Sequence, residues 1–532
     1  MAGLFLDLHP GSRWRTLLPQ LALIAVLGVV VYYNVMWLLN TTSYGPFYEP
    51  DNYMYYKYAL QLLTGLPQIN TQLIGYGALP FFEHAGLYML PATMSYVLHL
   101  PLLWSFRGLI LVLIAIDFWL IYLFVHHFFE ALLLPKHLEY FGLALAFLFP
   151  LILYQFEPIE WRGNLFISTI VFGMAYLFFR QYIAKGFKKK LPYLAAAALL
   201  LPVAWFMWSG WYVAVPFFIL LVALSYGPDL ITSKRKALYV GAGLGATIIA
   251  AFVLHAQIVS FISSVTGGFV PTCLYNPLII GEMECLTASN GLTLVVASAL
   301  IFLYAFATVW KYSIDHRRVD FYLYMLLAAG VSFLPVALVY VRAVTLLAPF
   351  LAVAFGIGYA AIQYKGGDTV VGKLLAATIA IAVVIGLLYF MYAYYTTAYV
   401  QYLIDNPSFL PAASNVLASQ NGAIDLFTFY VYGDWFEANT KANVYADTVQ
   451  GLNYTRIGRM DRILLSNASA ACQMLETDLP VQPNYILISK MFKGFAILEN
   501  ASNSSVLLNP MSLSLCGYKP IYNESGTAIL KR

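Results

Sequence analysis

Leu17-Leu-Pro-Gln-Leu-Ala-Leu-Ile-Ala-Val-Leu-Gly-Val-Val-Val-Tyr-Tyr-Asn-Val-Met-Trp-Leu-Leu39 carries no charge. Crossing the hydrocarbon core of a bilayer takes about 20 apolar residues in a helix, and this run is long enough. It is too long for the apolar core of a signal peptide and no convincing cleavage site follows it, so it reads as a retained first span. Arg13 and Arg15 precede it, which places the N-terminus in the cytoplasm under the positive-inside bias. Similar runs recur near 102–128, 139–156, 164–184, 191–208, 211–227, 237–262, 291–310, 320–341, 343–363 and 373–396, about eleven spans in all. Composition agrees: the 532 residues are 61% hydrophobic and only 10% charged. The chain reads as a polytopic α-helical membrane protein.

The charges then set sidedness. The basic stretches Lys185–Lys190, Lys234–Lys236 and Arg317-Arg318 each sit between apolar runs and read as cytoplasmic loops. Flanked by spans, they are not a nucleic-acid surface. An odd number of spans starting inside divides the chain into a membrane domain, 1–396, and an extracytoplasmic domain, 397–532. Apolar runs alternating with polar turns make the latter a small α/β domain. The Asn-x-Ser/Thr acceptors Asn40, Asn453, Asn467, Asn500, Asn503 and Asn523 all fall outside the spans and cytoplasmic loops. The four cysteines pair locally, Cys273 with Cys285 and Cys472 with Cys516, as two disulfides of an oxidising compartment. The alternative is four unrelated buried thiols; no zinc spacing is present. Within the outside loop 40–100, Met54–Leu63 and Gly86–Tyr96 read as helices lying in the interface.

Carboxylates beside hydrocarbon are costly unless paired, hydrated or bound to a metal. Three outside loops carry them: Glu49-Pro-Asp51-Asn-Tyr-Met-Tyr-Tyr-Lys57, Glu157-Pro-Ile-Glu160-Trp-Arg162, and Glu282 with Glu284. Oxygen ligands without His or Cys suit a hard cation, Mg²⁺ or Mn²⁺, which would neutralise a phosphate or diphosphate leaving group. The alternative is solvated loop carboxylates that cap helices or pair with Lys57 and Arg162. Ion transport is disfavoured, because transport sites lie near the midplane in broken helices. Arg342, at the outer junction of two spans, either pairs with a carboxylate or substrate phosphate or snorkels at the interface. His84 is a further residue within reach of a substrate, or a structural one.

These segments together resemble the catalytic subunit of oligosaccharyltransferase, of the archaeal and eukaryotic type, among the GT-C glycosyltransferases. Asp51 through Lys57 resembles the family's first-loop motif, with Asn52 where the family has Pro. Glu157 and Glu160 stand at its second acidic motif, and Ile279-Ile-Gly-Glu282 is similar to its third-loop Thr-Ile-x-Glu element. Val341-Arg342 through Pro349 resembles the span with a substrate-facing arginine. Phe429-Tyr-Val-Tyr432-Gly433, followed by Asp434-Trp435, Ala442-Asn443 and Asp447, is similar to the Trp-Trp-Asp-Tyr-Gly region that holds the acceptor's hydroxyl.

The resemblance implies a GT-C-like body of about 11–13 spans. It implies transfer of an oligosaccharide from a polyprenyl (dolichyl) phosphate or diphosphate carrier to the Asn of Asn-x-Ser/Thr sequons. Asp51 and Glu282 would be catalytic, with Glu284 the second candidate acid. Asp51, Glu160 and Glu157 would hold Mn²⁺ or Mg²⁺. Arg342, Tyr432, Gly433, Asp434, Trp435 and His84 would contact substrate. The partners implied are membrane lipid, lipid-linked oligosaccharide, an acceptor polypeptide and other membrane subunits. Two other readings remain: a GT-C transferase that moves one sugar to hydroxyls, lipid or polymer, and a membrane transporter.

Overall fold

The computed structural model describes residues 17–31 (except 18 and 29), 50–65, 85–153, 163–207, 214–231, 317–339, 344–365, 409–445 (except 429 and 441), 454–489 (except 480) and 505–532 (except 507, 525 and 526). These form two compact units, and the division is not a single cut in the chain.

The first unit is helical. It contains α1 (Pro19–Gly28), most of α4 (Leu102–Ala131), α5 (Lys136–Leu153), α6 (Gly163–Ile183), α7 (Phe187–Met207), α8 (Ala214–Ile231), α9 (Arg317–Val339) and α10 (Val344–Lys365). Each helix from α4 to α10 matches an apolar run read from the sequence. Among the described residues three segments, Leu102–Ala131, Leu165–Ile183 and Lys188–Met207, are long and apolar enough to cross a membrane. The chain is thus a membrane protein on length and apolarity. The runs 237–262, 291–310 and 373–396 lie outside the described residues.

Aromatic rings fill this unit. Phe124, Phe172, Phe179 and Tyr322 pack together from α4, α6 and α9. The Tyr322 hydroxyl, wholly buried, donates to the Phe124 carbonyl at 2.7 Å, as a phenol inside a core must. Two glycines allow α5 and α10 to touch. A Cβ on Gly142 would lie 2.9 Å from the Gly356 carbonyl oxygen, and one on Gly356 would lie 2.7 Å from the Gly142 carbonyl oxygen. With Ala146, Ala348 and Ala352 buried alongside, this is the small-residue seam that lets membrane helices approach closely. Between α6 and α7, Gly186 takes φ +89°, a turn open to glycine without a steric cost.

The second unit joins α2 (Pro50–Thr64), α3 (Ala85–Leu98) and the start of α4 to the C-terminal part of the chain. The two interfacial segments expected in loop 40–100 are helices, as α2 and α3. The C-terminal part is a small α/β domain. Its strands β1 (Asp425–Phe427), β2 (Asn443–Val444), β3 (Tyr485–Ile488), β4 (Lys519–Glu524) and β5 (Thr527–Lys531) lie in the order β2-β1-β3-β5-β4. The first three are parallel, and β5 runs antiparallel to both β3 and β4. Every residue of β3 is buried, so Tyr-Ile-Leu-Ile reads as a continuous apolar run, as strands covered on both faces do. Helices α11 (Leu410–Ala418), α12 (Tyr430–Thr440), α13 (Tyr454–Leu465) and α14 (Ala468–Thr477) complete the domain.

Cys472 on α14 is bonded to Cys516 in the 3₁₀ turn Pro510–Cys516, the pairing expected from the sequence. The expected Cys273–Cys285 pair lies outside the described residues. The bridge closes a loop with a sequence separation of 44, so Cys472→Ser should cost about 2–4 kcal/mol by widening the unfolded ensemble. A urea titration of the two proteins measures this, and identical midpoints would show the bridge to be idle. Two expected glycan acceptors are described, and both are exposed. Asn467 caps α14 by accepting from the Ala470 amide through Oδ1, which leaves its Nδ2 nitrogen out of the cap; Asn523 lies on edge strand β4. Asn40, Asn453, Asn500 and Asn503 lie outside the described residues.

Candidate active site

Pro50 opens α2, a position where a missing amide hydrogen costs nothing. Asp51 is next, where the positive end of the helix dipole favours a carboxylate. From there the helix carries Tyr53, Tyr55, Tyr56, Lys57 and Tyr58. Tyr53, Tyr56 and Lys57 fall at i, i+3 and i+4, hence on one face. That face packs on α12, the helix of the Tyr432-Gly433 motif.

The contact is both aromatic and ionic, and both parts are largely buried. Tyr53 meets the edge of Tyr432 at 6.4 Å and of Trp435 at 5.9 Å, and Tyr56 stacks on Trp435 at 5.7 Å. Phe409 closes on Tyr432 from the other side, 5.2 Å between ring centres. The Trp435 indole donates to Ser414 Oγ at 2.8 Å. Burial pushes the Tyr56 phenol above its ordinary pKa, so it stays neutral. Lys57 Nζ donates to Asp434 Oδ1 and to Glu437 Oε2, each at 2.6 Å. All three groups are buried, Asp434 completely. Asp434 and Glu437 are one helical turn apart on α12, so one ammonium reaches both.

Lys57 and Asp434 are 377 residues apart in sequence. The fold therefore brings the first-loop motif and the soluble-domain motif into one body. Of the expected substrate-contacting residues, Tyr432, Gly433, Asp434 and Trp435 are all buried here. Asp434 and Trp435 make internal bonds, to Lys57 and to Ser414. Position 51 is six residues before Lys57, about 9 Å along the helix axis. Glu157, Glu160, Glu282, Glu284, Arg342 and His84 lie outside the described residues. Among the described residues no cluster of three or more His, Cys, Asp or Glu side chains forms a metal site. The donor set expected around Asp51 is all oxygen, which fits Mg²⁺ or Mn²⁺ chemically.

Sequence reading did not anticipate Glu437, nor Lys57 as its partner. The available signal was the i, i+3 spacing of Asp434 and Glu437 in a helix with few charges.

No family model matches the sequence, and neither does any curated protein. Solved structures do match. One is the oligosaccharyltransferase of Archaeoglobus fulgidus tethered with an acceptor peptide containing the NVT sequon. It has TM-score 0.56 and 11% identity over 93% of this chain and 74% of that one. The fold is that of an archaeal oligosaccharyltransferase. The same archaeal enzyme in complex with an inhibitory peptide and a dolichol-phosphate aligns at TM-score 0.53 and 12% identity, over 97% and 74% of the two chains. ArnT from Cupriavidus metallidurans bound to undecaprenyl phosphate aligns at TM-score 0.49 and 12% identity, over 95% and 97%.

Proposed function

We propose that this protein is a membrane glycosyltransferase that moves an oligosaccharide from a polyprenyl phosphate or diphosphate to the asparagine of Asn-x-Ser/Thr sequons. The observation that carries the reading is the docking of α2 on α12. It ties the helix that begins with Asp51 to the Tyr432-Gly433 motif through Lys57, Asp434 and Glu437, within a fold shared with an enzyme captured holding a sequon peptide.

The body, 1–396, crosses the membrane about eleven to thirteen times from a cytoplasmic N-terminus. The domain 397–532 and the site face the extracytoplasmic side. The acceptor's amide nitrogen attacks the anomeric carbon, and the bond from that carbon to the carrier phosphate oxygen breaks. Asp51 and Glu282 accept the amide N–H bonds and take the proton that leaves, with Glu284 the second candidate acid. Arg342 contacts the carrier phosphate, and His84 lines the substrate. The α12 residues Tyr432, Gly433, Asp434 and Trp435 shape the acceptor side. Asp51, Glu160 and Glu157 would hold Mn²⁺ or Mg²⁺, which when bound offsets charge on the departing phosphate.

The test uses the purified full chain, a lipid-linked oligosaccharide and sequon peptides, read by mass spectrometry. Asn-linked oligosaccharide is the expected product. A single sugar on Ser or Thr would replace this reading with the hydroxyl-directed one. Chelation with EDTA should abolish transfer and Mn²⁺ or Mg²⁺ should restore it; full activity in chelator would remove the metal.

A further inference from the structure

Lys57 is matched by two carboxylates. A second buried cation in the same unit has no such match among the described residues. Arg107 stands in the second turn of α4 and is 3% exposed, and neither Nη1 nor Nη2 has a hydrogen-bond partner among the described residues. Its guanidinium lies over the Trp104 ring, 5.2 Å from the centroid. Ser105, fully enclosed on the same helix, has an unmatched Oγ. Gln61, buried in the last turn of α2, has both amide atoms unmatched. The Phe106 ring meets Tyr56 at 6.2 Å, and Tyr56 stacks on Trp435. Arg107 follows Phe106 in sequence, the residue of α4 that touches the aromatic cluster of the candidate active site.

A guanidinium cannot lose its proton inside a protein, so burial does not neutralise it. An enclosed cation without an anion is unfavourable, and something anionic must complete it. The α12 carboxylates Asp434 and Glu437 already face Lys57. The exposed residues at the end of α3 and the start of α4 are mostly apolar, Tyr96, Val97, Leu98, Leu100 and Trp104, with exposed His99 among them. A flat fork of N–H donors suits an anion with several oxygens, and phosphate accepts two parallel bonds from it. Apolar surface at its edge suits a ligand whose remainder is hydrocarbon.

We propose that Arg107, assisted by Ser105, binds the phosphate of a polyprenyl-phosphate lipid whose chain lies on the apolar surface of α3 and the start of α4. The choice of lipid rests on the glycosyl-transfer reading, whereas the need for an anion does not. The site is separate in sequence from Arg342.

The test is equilibrium binding to the purified full chain in detergent, with polyprenyl monophosphate, the matching polyprenol and inorganic phosphate as probes. Wild type should bind the phosphorylated lipid about tenfold or more tightly than the alcohol. Arg107→Gln should erase that preference while leaving binding of the alcohol intact. Arg107→Lys should retain part of it, and Ser105→Ala should weaken it severalfold. Equal lipid-phosphate binding by Arg107→Gln and wild type overturns the proposal. So does inorganic phosphate binding as tightly as the lipid, which would mark a free-anion site. If Arg107→Gln does not fold, wild type and Ser105→Ala decide: no preference for phosphate over alcohol, or no change in Ser105→Ala, is equally fatal. Binding and transfer separate the two readings. Arg107-dependent binding without any transfer sinks only the transferase, and transfer with Arg107-independent binding sinks only this site.

Discussion

Asp51→Asn should lower glycan transfer by about 10²–10³-fold while the protein still inserts and folds. The reason lies in the nucleophile. An amide nitrogen shares its lone pair with the carbonyl, and the delocalisation is strong enough to give a rotation barrier of about 18–20 kcal/mol in a peptide bond. A carboxylate that accepts an N–H bond favours a twisted amide whose lone pair is freer. Asparagine brings a neutral carbonyl oxygen, a weaker acceptor, and an NH₂ that faces the substrate amide donor to donor. Stability should change little. Asp51 is in the first turn of α2, where losing a carboxylate's interaction with the helix dipole costs about 0.3–1 kcal/mol. Glu282→Gln should act the same way on the second N–H. Single-turnover transfer with purified protein, beside a melting curve, reads both quantities. Activity within a few-fold of wild type in either variant would remove that carboxylate from the mechanism.

Some of this architecture was legible in the chain because hydrocarbon imposes length. The run 164–184 is the helix Gly163–Ile183, and 320–341 is Arg317–Val339. Tyr485–Ser489, read as an apolar run, contains β3. Ser505–Leu508 read the same way, yet there Ser505 makes only an isolated bridge to Asn467. The strand β4, Lys-Pro-Ile-Tyr-Asn-Glu, escaped notice because an edge strand with half of its surface open carries no apolar run. The ionic centre was illegible for a different reason. Nothing local distinguishes a lysine that will be buried from one that stays in water. Its partners are 377 and 380 residues away, on a helix whose few charges look solvated until α2 covers them. Arg107 was lost in the same way, as one charge inside a run long enough to span.

Lys57→Met should destabilise the second unit by about 3–5 kcal/mol, the largest stability loss expected of a single change in this protein. Methionine fills much of the lysine's volume, so packing beside the Tyr58 ring is largely kept and the loss is electrostatic. What remains is two carboxylates, Asp434 and Glu437, facing the place where the shared ammonium was, with water excluded from both. A further variant separates this from a simple cavity. Lys57→Met combined with Asp434→Asn and Glu437→Gln should recover most of the loss, because neutral amides can bond to each other without a counter-charge. Transfer by that triple variant should fall in kcat more than in KM for the carrier. In this arrangement Lys57 holds the helix of Asp51 against α12. A triple variant no better than the single one would reduce the triad to ordinary packing. The helix that begins with Asp51 would then need another reason to sit where it does.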